Sequence, residues 1–273
     1  MKKIILSLLL IYLLFPSFSF SQKNPSLKFT VGLAFPSGEL DGNLVSTNDS
    51  GISFIDPNFI KENYGASAGA TLTGMLKFPL EKSGILNGNF VGSYSYFNAF
   101  RRSFLGTTID NNFVVPVTYD SRFTTSTFGF GIEITPVPDS KFSPFINADL
   151  TLNILSLSIT RNDFNYAFFN DAFRMGLLTN AGVSIKINNE YSLVIGGSYH
   201  ISNLLLKSSS DEFNDRAEFN RENIPINDKE GMFYTNLSNP NFFSGQVTGK
   251  TKNVNWWNFN IGLNIVLGKS NKK

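Results

Sequence analysis

From Leu27 to Phe35 the chain reads L-K-F-T-V-G-L-A-F, so Leu27, Phe29, Val31, Leu33 and Phe35 share one face and Lys28, Thr30, Gly32 and Ala34 the other. Successive side chains of a strand point to opposite faces, so this segment is read as a two-faced β-strand. The pattern recurs seven more times. The predicted strands are Leu27–Phe35, Tyr64–Phe78, Asn89–Phe100, Arg122–Ile134, Phe145–Thr160, Met175–Ile187, Tyr191–Asn203 and Val254–Leu267. In each, one face is bulky and apolar and the other is mostly Gly, Ser, Thr and Asn. In the fifth strand the polarity flips after Ile154, where Leu155, Leu157 and Ile159 take the apolar role. That slip predicts a β-bulge.

The intervening segments alternate in length. Pro79–Gly88, Thr135–Pro144 and Asn188–Glu190 are short, whereas Pro36–Asn63, Arg101–Ser121, Phe164–Arg174 and Leu204–Asn253 are read as longer loops. The pattern predicts an all-β fold: a closed antiparallel eight-stranded transmembrane β-barrel with short periplasmic turns and long extracellular loops. A soluble barrel of the same strand number buries its bulky face and covers the outside with charge. Here the polar face carries few clear charges (Lys28, Lys77, Glu133, Asp149 and Lys186), which suits a cramped lumen better than a water-exposed surface. Tyr94, Tyr96, Tyr191, Tyr199 and Trp257 fall toward strand ends and fit interfacial girdles.

Composition narrows the setting. Lys2 and Lys3 precede an apolar run from Ile4 to Leu14, Pro16 breaks it, and Ser19 and Ser21 are small residues before Gln22. The run is shorter than the about 20 residues of a spanning helix, so residues 1–21 are read as a cleaved signal peptide and 22–273 as a single barrel domain. The chain has no cysteine, which excludes disulfides and thiolate zinc sites and leaves a lipid-anchored N-terminus unexpected, and it has one histidine. Charged residues are 16% with a formal net charge of +2, not the profile of a nucleic-acid binder. No Gly-rich phosphate loop follows a strand, and no cofactor is expected. Export without a spanning helix points to the outer membrane of a Gram-negative bacterium, with outer-membrane lipids and lipopolysaccharide as surroundings and an extracellular or envelope protein as partner.

The signal ending S-F-S-Q, the first strand L-K-F-T-V-G-L-A-F-P and the last strand W-N-F-N-I-G-L-N-I-V-L-G together resemble the small, porin-like outer-membrane β-barrel proteins of the Bacteroidetes type. The last strand departs by ending on Leu267, Gly268 and a polar tail rather than on an aromatic residue. The resemblance implies the same fold and compartment; its members differ in function.

Three groups could carry chemistry. The lumen charges Lys28, Lys77, Glu133, Asp149 and Lys186 all fall toward the periplasmic end, where they are expected to pair and plug the bore. His200-Ile201-Ser202-Asn203 places His200 and Ser202 on one side of a strand. This H-x-S-N run resembles the motif of the outer-membrane lipid A deacylases, which implies His200 as base and Ser202 as nucleophile. The orienting acid of that family has no clear counterpart, since Glu212 and Glu218 lie in a long loop, and parity turns His200 into the lumen, away from lipid. Finally, Leu204–Asn253 carries seven acids and six bases without EF-hand spacing, as a solvated loop does. The reading is a non-enzymatic barrel acting in adhesion, envelope integrity or partner docking through its outer loops. The alternatives are a narrow pore for small solutes and a deacylase-like hydrolase.

Overall fold

The structure, a computed structural model, describes residues 24–42, 45–47, 53–55, 64–99, 104–110, 113–161, 166–208, 226, 228–229, 232–234, 245–247 and 251–268. The expected signal peptide, Phe100, Glu212 and Glu218 lie outside the described residues. Eight strands build the barrel: β1 (Ser26–Ser37), β2 (Gly69–Pro79), β3 (Leu86–Phe97), β4 (Phe113–Ile134), β5 (Phe142–Arg161), β6 (Tyr166–Lys186), β7 (Tyr191–Leu205) and β8 (Asn255–Val266). Each pairs antiparallel with the next. β1 then pairs with β8 from Ser26↔Val266 to Ser37↔Asn255 and closes the cylinder. Both ends of the barrel chain and the three short connections lie at one end, the turn end; the other is the loop end.

Among the described residues the only helical element is the 3-10 turn Gly38–Leu40, and no helix is long and apolar enough to cross a membrane. At the loop end, Phe104–Asp110 folds as a hairpin onto Phe113–Tyr119 of β4. Two small hairpins lie in the long connections, Val45–Thr47 with Ser53–Ile55 and Met232–Tyr234 with Gly245–Val247.

Alternation sorts the side chains as the sequence pattern requires. Phe29, Val31, Leu33 and Phe35 of β1 point outward, as do Phe128, Phe130 and Ile132 of β4 and Trp257, Phe259, Ile261 and Leu263 of β8. Phe128 is 60% and Phe259 61% exposed, an apolar belt. Thr30, Thr71, Ser93, Ser95, Thr127, Thr151, Ser198 and Asn258 are buried inside. Eight strands leave a bore just wide enough for side chains to fill. Hydrogen bonds link the fill: the Thr127 hydroxyl donates to Asn153 Oδ1 at 2.8 Å, and the amide nitrogen of Asn258 donates to Ser198 Oγ at 3.1 Å. Met75, Val91 and Leu178 make a small apolar cluster within this polar lumen.

Several sequence expectations change, among them the loop read over Arg101–Ser121, of which Phe104–Asp110 and residues 113–121 are strand. The bulge after Ile154 is absent: β5 holds continuous register from Ile146 to Arg161 with β4 and from Phe142 to Thr160 with β6. Instead, Leu155 and Leu157 face inward and are buried, because the lumen itself turns apolar toward the loop end. Among the described residues, the β6–β7 pairing shifts register between Ile201 and Leu205. Phe164–Arg174 is not a long loop, since β6 already runs from Tyr166. β2 starts at Gly69 rather than Tyr64, and β3 stops at Phe97, where Asn98 takes φ +62°. The Asn98 side chain holds that break by accepting from the Ser67 amide at 2.6 Å and the Ser67 hydroxyl at 2.7 Å.

Gly262 sits in β8 between Thr30 of β1 and Val194 of β7. A Cβ there meets the Phe29 carbonyl and lies 2.6 Å from Thr30 Cα, so backbone rather than a flexible side chain must move. At Gly74 the nearest atom is a ring carbon of Phe29 at 3.5 Å, an ordinary contact. Gly262→Ala is therefore expected to lower unfolding stability by about 1–3 kcal/mol, the usual range for overpacking, with Gly74→Ala close to neutral. Urea unfolding of the refolded protein measures both, and equal losses count against the account.

Candidate functional site

Two separate groups of buried side chains occupy the lumen, one toward each end. At the turn end, Lys28 of β1, Lys77 of β2 and Glu133 of β4 all point inward from neighbouring rungs. Lys28 Nζ donates to Glu133 Oε2 at 2.9 Å. Lys77 pairs with the other oxygen, Oε1, which also accepts from the Thr135 hydroxyl at 3.1 Å. Glu133 is fully buried and Lys28 nearly so, and the Lys28 ammonium lies 3.9 Å from the Phe145 ring centroid. A buried carboxylate is tolerable when its lone pairs are met by opposite charge and hydrogen bonds. Here both oxygens are met.

Asp149 lies one step deeper on β5. Its carboxylate accepts from the side-chain amides of Asn89 and Asn147, the latter at 2.8 Å. Lys186 stands on the wall nearer the mouth and is exposed. Of the five charges grouped from sequence, three make direct ion pairs, Asp149 is held by neutral amides, and Lys186 lines the opening.

At the loop end the closure is aromatic. Trp256, Phe97 and Phe123 are fully buried, with Leu40, Tyr64 and Val254 beside them. Phe97 meets Trp256 edge-on at 5.6 Å and Phe123 at 5.9 Å between centroids, and Tyr64 packs on Phe123 at 5.9 Å. Such tilted contacts suit the ring quadrupoles. The Lys252 ammonium lies 5.2 Å from the Tyr64 ring centroid. Burial pushes the Tyr64 phenol pKa upward and the Lys207 ammonium pKa downward.

Above this layer sits a polar clamp. Asp228 is fully buried and takes Arg174 of β6 in a two-pronged pair, Nε to Oδ2 at 2.8 Å and Nη2 to Oδ1 at 2.7 Å. Asn203 Nδ2 donates to Oδ2 at 2.8 Å and the Ser208 amide to Oδ1 at 3.1 Å. The Asp228 carbonyl accepts from the Lys252 amide at 2.9 Å. Arg174 also donates to the Ile226 carbonyl at 3.0 Å. One acid from the last connection is thus tied to β6, to the end of β7 and to the segment leading into β8.

His200 and Ser202 face the lumen, as parity requires, but their partners lie elsewhere. The His200 ring stacks on Trp256 at 4.4 Å, and its Nε2 is 3.0 Å from Asn258 Nδ2. The Ser202 hydroxyl donates to the Val254 carbonyl at 2.7 Å. Both are at least 97% buried. The geometry gives each a packing and capping role, with no hydroxyl-to-imidazole hydrogen bond of the kind a base and nucleophile need. Among the described residues no group of three His, Asp or Glu side chains could hold a metal ion.

Arg174 and Trp256 were not singled out from sequence; Asn203 entered only as the last residue of the H-x-S-N run and Asp228 only as one of the seven acids of the last connection. The Trp256-Trp257 doublet held a signal, since neighbours on a strand face opposite sides and one of two large rings had to point inward. Asp228 carried none among the loop's many charges.

No protein-family model and no curated protein matches the sequence. Among solved structures, the chain is similar to Neisserial surface protein A at 13% identity, covering 89% of this chain and 97% of that one, with a TM-score of 0.45. It is also similar to Ail, the attachment invasion locus protein of Yersinia pestis, at 10% identity, 89% and 100% coverage and a TM-score of 0.37. The same protein in complex with the heparin analogue sucrose octasulfate gives 12% identity, 89% and 99% coverage and a TM-score of 0.39. Values this low carry no inference about function, and the barrel stands on its own strand pairings.

Removing one member of a buried ion pair leaves the other charge stranded, typically at about 3–5 kcal/mol. Asp228→Ala is expected to cost that much in urea unfolding, and pairing it with Arg174→Met to recover most of it; no recovery in the double mutant refutes the clamp. Ser202→Ala removes one hydrogen bond and is expected to cost about 1 kcal/mol. It is also expected to leave the host's lipid A acyl pattern unchanged by mass spectrometry.

Proposed function

We propose that the protein is an outer-membrane barrel whose lumen is sealed and whose working surface is the loop end. The observation that supports this most directly is the inverted polarity of a closed barrel: large apolar side chains outside, Ser, Thr and Asn packed within. An uncharged belt of Phe, Leu, Ile and Val suits hydrocarbon, and closure leaves no unpaired strand edge in the belt for lipid to face. Tyr199 and Trp257 stack at 4.2 Å near the loop end, where an interfacial girdle sits, and Tyr191 is exposed near the turn end. The turn end then faces the periplasm and the loop end the exterior. Outer-membrane lipids and lipopolysaccharide surround the belt, and residues 1–21 direct export.

Two features favour docking or adhesion over transport. The ion cluster and the aromatic layer close both ends of the bore. In addition, β4, β5 and β6 run for 22, 20 and 21 residues, against about 9–11 needed to cross the hydrocarbon. About half of each strand therefore stands beyond the membrane, extended by the Phe104–Asp110 hairpin, as a stiff wall on which a protein or surface partner can dock.

In planar bilayers the purified protein is expected to show no steady conductance, and a large, lasting one sinks the sealed-lumen reading. Ile261→Arg, on the belt, is expected to lower folding stability in bilayers by about 2–4 kcal/mol. An unchanged stability, or recovery of the protein in the soluble periplasm, overturns the membrane assignment. For the working surface, cells of a non-adherent host expressing the protein are expected to be retained on a surface or partner-coated plate. Deleting residues 104–119 is expected to bring retention down to the vector level without loss of heat-modifiable gel mobility.

A further inference from the structure

Beneath the ion cluster the turn end opens as a blind cup of about 530 Å³. All eight strands supply its wall, including Ser26 of β1, Lys77 of β2, Ser143 of β5, Lys186 of β6, Ser192 of β7 and Asn264 of β8. The volume falls within the roughly 300–1,000 Å³ of small-molecule sites, and the floor is shut by the Lys28–Glu133–Lys77 group.

The lining carries a small excess of positive charge. It holds three lysines (Lys28, Lys77 and Lys186) and two acids (Glu133 and Asp139). Asp139 is exposed in the turn between β4 and β5, and Glu133 is buried behind the two lysines that bind it. Both oxygens of Glu133 are already engaged, so an incoming anion meets the lysines rather than the carboxylate. An ammonium has three N–H donors. The Lys77 side chain is 15% exposed and retains donors for the cup after serving Glu133. Lys186 adds a second ammonium on the wall, and seryl hydroxyls and asparagine amides add neutral donors. With Glu133 neutralised by Lys28 and Lys77, the group at the floor keeps one net positive charge, and Lys186 on the wall adds to it against Asp139 at the rim, so the cup favours an anion.

We infer that this cup is a binding site for a small dianionic solute, a phosphate- or carboxylate-bearing molecule, held between Lys77 and Lys186. The inference goes beyond the proposed docking role of the loop end and does not depend on it. Binding seats the anion against the floor, with the seryl and asparagine side chains replacing its water shell. Nothing passes through the bore.

The test is amide-shift titration by NMR of the refolded full chain in a non-ionic maltoside detergent. Inorganic phosphate and succinate serve as probes, with ionic strength held constant by sodium chloride. Saturable shifts at Ser143, Ser184, Lys186 and Asn264 with either anion are the expected result. Lys186→Gln is expected to weaken the affinity at least tenfold. Ser184→Asp, which places a negative charge on the wall, is expected to abolish saturation while leaving heat-modifiable gel mobility intact. Shifts that rise linearly with both anions, that sodium chloride reproduces, or that persist unchanged in Lys186→Gln overturn the inference.

Discussion

The ladder between β1 and β8 runs unbroken from Ser26↔Val266 to Ser37↔Asn255. With it the eight-stranded belt becomes a cylinder, and its backbone groups find partners without recourse to solvent. This lets the outer face be uniformly apolar, because no strand edge in the belt needs water. Closure also fixes the bore: eight strands enclose a space that side chains must fill. Gly262 records the tightness of that fit, since β1 backbone occupies the place a side chain would take. The small residues of the inward face are the consequence of closure at this strand number.

A filled bore must hold its own polar groups without much water. The chain does this in layers. Glu133 meets two ammonium groups and a hydroxyl; Asp149 meets two amides; Thr127 and Asn153 meet each other. Buried ion pairs of this kind contribute little net stability compared with apolar packing, yet breaking one is expensive. They therefore act by penalising misplacement. A barrel slipped by one register pair separates Glu133 from Lys28 and Lys77, and a one-residue slip also turns the apolar belt inward.

The alternation that set out the strands also set out which faces point outward and which meet the lumen, from Phe29 to Leu263. It located Lys28, Lys77 and Glu133 at one end because parity and strand position alone fix a residue's height and face. It misread Leu155 and Leu157. A local rule assigns apolar residues to the apolar face, whereas these two pack inside a lumen that has turned apolar near Trp256 and Phe123. The same limit hid the clamp. Arg174 fell in a stretch taken as loop because its strand continues past the belt, and Asp228 gains its role only by folding back onto β6 and β7. His200 and Ser202 show the converse: two residues in suggestive spacing that the fold commits to Trp256, Asn258 and Val254.

The two closures differ in what they borrow. At the turn end every charged member of the seal sits on a barrel strand, so the seal is as rigid as the ladder beneath it. At the loop end Leu40, Tyr64, Asp228 and Lys252 come from the connections, and side chains of β4, β6 and β7 hold Tyr64, Asp228 and Lys252. Withdrawing Asp228 leaves Arg174 buried and uncompensated, at a cost of several kcal/mol. A contact of millimolar affinity supplies only about 4 kcal/mol in total, so a weak partner cannot displace the clamp and gain by doing so. Binding at the loop end must therefore use the surface as the clamp presents it. The clamp thus holds one segment of the last connection at a fixed height above the aromatic layer, so that any partner would meet a preorganised surface.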